Sequence, residues 1–85
     1  EYANLFKSKL RNAKFVNANL SSTILQDSDF SYTDLTDANF YKASMRYANF
    51  SNSIIENTNF KFANIIGVNF KGTKLEGIDV KIITE

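Results

Sequence analysis

Residues 37–50 read DANFYKASMRYANF, and the spacing inside this stretch decides the fold. Ala38, Ala43 and Ala48 lie five residues apart, and so do Phe40, Met45 and Phe50. An α-helix cannot use that interval. At about 100° per residue, five steps move a side chain about 140° around the axis. A flat strand cannot use it either, because an odd interval alternates between faces. The chain must therefore turn once every five residues to keep these side chains on one side.

The period spans the whole sequence. The sixteen residues numbered as multiples of five, from Leu5 to Val80, are all apolar. Two places before each of these centres, fourteen of the sixteen residues are Ala, Ser or Thr, and every alanine in the chain is in that column. The residue just before the centre is most often Asn, Asp or Lys, and the two after it are mostly polar. Each unit thus offers one large and one small inward side chain, with a polar corner. Gly67, Gly72 and Gly77 stand two places after a centre, as do Asn12, Asn17, Asn52 and Asn57. Both residue types tolerate the positive φ required at the third position of a type II turn. Tyr32, Tyr47 and Phe62 occupy the same slot. As bulky residues they predict a different turn type at those corners. No proline interrupts the backbone pairing.

A chain turning the same way every five residues winds into a solenoid whose coils pair through their backbones. Phe fills every second centre from Phe30 to Phe70. With twenty residues per coil, Phe30, Phe50 and Phe70 stack on one face, and Phe40 and Phe60 on the opposite one. Fifteen residues per coil would scatter them. At a lag of twenty Lys7, Lys9 and Lys14 lie favourably below Asp27, Asp29 and Asp34, whereas Glu56/Glu76 and Lys61/Lys81 stack like charges. Asn19, Asn39 and Asn59 are expected to form an amide ladder.

Units such as Ala18-Asn19-Leu20-Ser21-Ser22 and Ala38-Asn39-Phe40-Tyr41-Lys42 resemble those of the pentapeptide-repeat proteins, and the likeness covers essentially all 85 residues. It implies an all-β domain over residues 1–85: a right-handed, four-sided parallel β-helix of about four coils. Ile24 and Ile54 depart from the pattern before the centre, and Val68 and Ile78 fill the small slot with larger groups. The β-branched stretch 78–85 is expected to be a C-terminal edge or cap.

Chemistry is sparse. The chain has no His and no Cys, so the commonest catalytic bases, nucleophiles and transition-metal ligands are missing. No enzyme activity and no cofactor is expected. Asp27, Asp29, Asp34 and Asp37 fall on different faces and corners, which speaks against a metal site. Ten Lys and Arg against nine Asp and Glu give a net charge of +1, too little to draw the chain to nucleic acid or a membrane. The absence of cysteine points to a reducing, cytoplasmic setting.

Two functional expectations follow. The first is a non-catalytic structural or protein-interaction scaffold, which agrees with what the resemblance implies. The second comes from the resemblance alone: a DNA-mimicking protein that binds DNA gyrase, against which the balanced charge stands. Apolar residues break the outward pattern near the C-terminal end, and an apolar cluster beside an open sheet edge invites association. Phe62, Ile66, Val80, Ile82 and Ile83 are the candidate interface, and the resemblance likewise implies a homodimer joined through this end.

Overall fold

The fold is taken from a computed structural model that describes residues 4–73. The chain coils with a period of twenty residues. Parallel bridges join Asn4 to Ile24, Lys9 to Asp29, Lys14 to Asp34 and Asn19 to Asn39, and the series continues unbroken to Asn49 and Asn69. Every bridge residue is the one before a centre. Four sides per coil follow directly, as the alternation of Phe predicts. Pairing on each side is limited to single bridges, because a five-residue side leaves little straight backbone between corners.

The backbone amides of one unit show why the period holds. In the unit around Phe40, the amide of Ala38 closes the preceding turn on Leu35 O at 2.9 Å. The Asn39 amide donates to Ala18 O at 2.9 Å in the coil below, and the Phe40 amide to Asn59 O at 2.7 Å in the coil above. The amide of Tyr41 donates to its neighbour's side chain, Asn39 Oδ1, at 2.9 Å. The Lys42 amide donates to Lys61 O at 3.0 Å. All five donors are satisfied, one of them by the residue that precedes the centre. This is the physical reason for Asn or Asp at that position: the side chain replaces an acceptor that neither the turn nor the ladder supplies. Asn4, Asn19, Asp29, Asp34, Asn49, Asn59, Asn64 and Asn69 do the same. Lys9, Lys14, Ile24 and Ile54 have no side-chain oxygen to offer there.

All fourteen corner residues from Lys7 to Gly72 have φ between 54° and 78°. Tyr32, at 58°, and Tyr47 and Phe62, both at 61°, are among them. The expectation of a different turn type at these three is therefore overturned. The corner amide is itself a ladder donor: Tyr32 donates to Ser51 O at 3.0 Å and Tyr47 to Ile66 O at 2.9 Å. Another turn would withdraw that amide and break the stacking of coils. The long-range ladder outweighs the local preference of the side chain.

Inside, the large column is fully buried from Leu25 to Ile55. Phe30 and Phe50 stack with centroids 4.9 Å apart and planes 2° from parallel, and Phe40 and Phe60 stack at 5.4 Å. The two stacks meet edge to face, Phe40 and Phe50 at 5.6 Å. Ala38, Ala43 and Ala48 fill the small column at 1% exposure. Where that column carries a hydroxyl, it turns back on a carbonyl: Ser28 Oγ donates to Leu25 O, Thr33 Oγ1 to Phe30 O and Ser53 Oγ to Phe50 O, each at 2.6 Å. Among the described residues no buried side-chain nitrogen or oxygen lacks a partner. The principal extents are 27 × 24 × 24 Å, so the solenoid is about as wide as it is long.

Candidate functional site

The inward columns and the ladder consume two of every five side chains and nearly all the backbone. What remains for recognition is the outer surface. Of the candidate interface residues, Val80, Ile82 and Ile83 lie outside the described residues, as does the expected cap over 78–85. Phe62 and Ile66 are described, and both are well exposed, at 67% and 58%. They stand on neighbouring corners of the same coil, either side of the short face centred on Ile65.

The twenty-residue register brings other residues to the same two corners. Tyr41 and Lys42 lie one coil below Lys61 and Phe62, and the Tyr41 and Phe62 rings meet nearly edge to face at 5.8 Å. Arg46 and Tyr47 lie one coil below Ile66 and Gly67. Tyr47 is 57% exposed, and its ring covers Gly67 so closely that a Cβ there would come within 3.3 Å of the ring's Cγ and overlap its edge. Each cation sits over a ring: Lys42 Nζ is 5.5 Å from the Tyr41 centroid, Lys61 Nζ 5.5 Å from Phe62, and the Arg46 guanidinium 5.6 Å from Tyr47. Between the two corners the face shows only Ser44 and Asn64. Sequence reading found Phe62 and Ile66 as apolar residues in polar slots. It missed Tyr41, Tyr47 and their cations, which become neighbours only when corner positions are aligned at a lag of twenty.

The other candidates are dispersed. Lys9 and Lys14 pair through their backbones with Asp29 and Asp34, as the charge stacking anticipates, and Arg11 lies over the Tyr32 ring at 4.9 Å. Asp29 is held below the usual aspartate value. Its carboxylate accepts the Ser31 hydroxyl at 2.6 Å and the Ser31 amide at 3.0 Å, partial burial opposes the shift, and the Arg11 charge adds to it. Among the described residues no three His, Cys, Asp or Glu side chains gather closely enough to hold a metal. No helix among them is long and apolar enough to cross a membrane. Of the expected amide ladder, one rung is formed by Asn59 Nδ2 donating to Asn39 Oδ1 at 3.2 Å.

Comparison with known proteins agrees with this architecture. Residues 3–80 match the family described as pentapeptide repeat region. Among solved structures, the chain is similar to the pentapeptide repeat protein Rfr23 from the cyanobacterium Cyanothece 51142, at 28% identity and a TM-score of 0.82, over 84% of this chain and 48% of that one. It is also similar to alr5209, a pentapeptide repeat protein from Nostoc Pcc 7120, at 23% identity and a TM-score of 0.56, over 80% of this chain and 60% of that one. HetL, from Nostoc sp. strain PCC 7120 and described as involved in heterocyst differentiation regulation, is 20% identical at a TM-score of 0.44, over 85% of this chain and 38% of that one. The chain thus spans about half the length of Rfr23 and 60% of alr5209. No curated protein sequence matches it.

Proposed function

The chain belongs to the pentapeptide-repeat family, and from that premise we propose that it is a non-catalytic interaction module, a rigid β-helical block that presents outward side chains to a protein partner. One observation carries this reading. Tyr32, Tyr47 and Phe62 are at least half exposed, yet they hold the left-handed backbone that the other corners give to Asn, Gly, Asp, Ser or Lys. A left-handed backbone costs a bulky residue about 1–2 kcal/mol, and the contacts these rings make within the chain are with other corner residues, Arg11 with Tyr32 and Tyr41 with Phe62, rather than with the core. Their presence is accounted for by contact with something outside the chain.

Replacing all three by Asn tests this. Thermal unfolding at an equal or higher midpoint is expected, because Asn suits the corner. A midpoint lower by about 10 °C or more would mean that the rings serve the fold, and the reading would lose its support. A second copy is one partner in this proposal, joined through the C-terminal end, where the sequence gathers Val80, Ile82 and Ile83. Sedimentation at hundreds of micromolar should then show a dimer in the wild type and a monomer in the Ile82→Asp, Ile83→Asp variant. A monomeric wild type excludes self-association. The alternative of a gyrase-binding DNA mimic has little support in charge, since the chain carries ten Lys and Arg against nine Asp and Glu.

A further inference from the structure

We propose that the side of the block between the Lys61–Phe62 and Ile66–Gly67 corners docks an acidic, apolar segment of another protein. The inference deepens the interaction-module reading and rests on it. Its first ground is charge. The two corners carry Lys42, Arg46 and Lys61, the face between them shows Ser44 and Asn64, and these two coils present no carboxylate on this side. The coil below adds Asp27 at its far edge. An otherwise balanced chain has thus separated its charges, and the side that faces a partner here is positive.

The second ground is shape. Tyr41 with Phe62 makes one apolar ridge, and the other corner exposes Tyr47, its ring over Gly67, and Ile66, with a short polar floor between the two corners. An extended peptide laid between the corners can place leucine or aromatic side chains against the rings while its carboxylates reach the three cations at the rim. Aromatic anchors supply most of the affinity in such contacts, and rim charges supply attraction and selectivity. The third ground is strain. Tyr47 and Phe62 both keep φ at 61° while more than half exposed, so these two exposed rings are held in a left-handed backbone that bulky residues rarely adopt.

A second copy suits this side poorly. A two-fold contact would bring the same three cations face to face. Single-stranded nucleic acid suits it less than a peptide does. Among the described residues the cations form a compact group rather than a track, and the corner below offers only Ser21 and Ser22.

Fluorescence anisotropy on the full chain tests the proposal with a labelled octapeptide alternating Glu and Leu. The comparison probes are its Lys–Leu counterpart, a thymidine oligonucleotide and phosphatidylserine vesicles. Saturable, salt-sensitive binding of the acidic peptide alone is expected. Phe62→Asn should weaken it about tenfold or more without lowering the urea midpoint. The Lys42→Glu, Lys61→Glu pair should abolish it and confer binding of the Lys–Leu peptide. No saturable binding, binding unchanged in both variants, or tighter binding of the oligonucleotide or vesicles would each overturn the proposal. Failure here with stability retained in the triple Asn variant refutes the acidic partner alone. A destabilised triple variant instead refutes the module reading beneath it.

Discussion

Phe50 lies among the stacked rings of the core, and Phe50→Ala is the most informative single perturbation of it. Its ring is fully buried and touches four others: Phe30 stacked at 4.9 Å, Phe40 and Phe60 edge-on at 5.6 and 6.3 Å, and Phe70 tilted at 5.9 Å. Truncating a buried Phe costs about 3–5 kcal/mol, from lost transfer energy and from the cavity left behind. The neighbouring coils are pinned by the ladder, so the site cannot collapse cheaply and the upper half of that range applies. A chain of this size has roughly 4–13 kcal/mol of total stability. Equilibrium urea unfolding should therefore show a large loss, a midpoint shift of about 4–5 M at a slope of about 1 kcal/mol/M. Phe50→Leu keeps most of the volume and should cost under about 1.5 kcal/mol, so the scale stays readable if the alanine variant is largely unfolded. Phe15, half-buried in the first coil and in contact with Phe30 at 5.3 Å, provides the internal comparison. Its alanine variant should lose about 1–2 kcal/mol, near half of a fully buried ring. Should Phe50→Ala cost less than Phe15→Ala, the assignment of a continuous aromatic core would be wrong.

Other perturbations separate the remaining parts of the architecture. Ala48→Leu should destabilise by about 1–3 kcal/mol in the same urea assay, because the small column has no room for a larger side chain. Ile54→Asn should stabilise by about 0.5–1 kcal/mol, since it supplies an acceptor for the Glu56 amide and removes an exposed apolar group. Gly67→Ala should raise the unfolding rate and lower stability by more than about 1 kcal/mol, as the new methyl meets the Tyr47 ring at a left-handed backbone. Ser31→Ala should raise the Asp29 pKa toward the ordinary aspartate value in an NMR titration, having removed its largest cause of depression. A carboxyl whose folded pKa is lowered stabilises the fold above its unfolded pKa. That contribution fades as pH falls through the lower folded value. Wild type should thus lose Asp29's share of stability on acidification below the ordinary aspartate range, and the Ser31→Ala chain should lose less.

The coil was legible because its determinants are periodic. A large residue every fifth place, a small one two before it and alternate Phe at the centres are enough to fix four sides of five residues. The role of Asn or Asp before the centre was visible only as a preference, because the amide it satisfies becomes an orphan only once the turn and the ladder are both in place. The corners at Tyr32, Tyr47 and Phe62 were misread for the opposite reason. Local conformational preference is written in the residue, while the ladder that overrides it runs between positions twenty apart. The candidate site was half legible. Phe62 and Ile66 stand out in polar slots, but Tyr41, Lys42, Arg46 and Tyr47 are ordinary corner residues until the register lays them beneath.

That register is the premise on which the core, the corners and the charged face all depend, and one NMR measurement reaches it directly. Backbone NOEs connecting Phe40 with Asn59, and Met45 with Asn64, are expected, because these amides and carbonyls are bonded at 2.7 and 2.9 Å across adjacent coils. NOEs that instead connect Phe40 with Ile54 would place fifteen residues in a coil, and the four-sided account would be wrong.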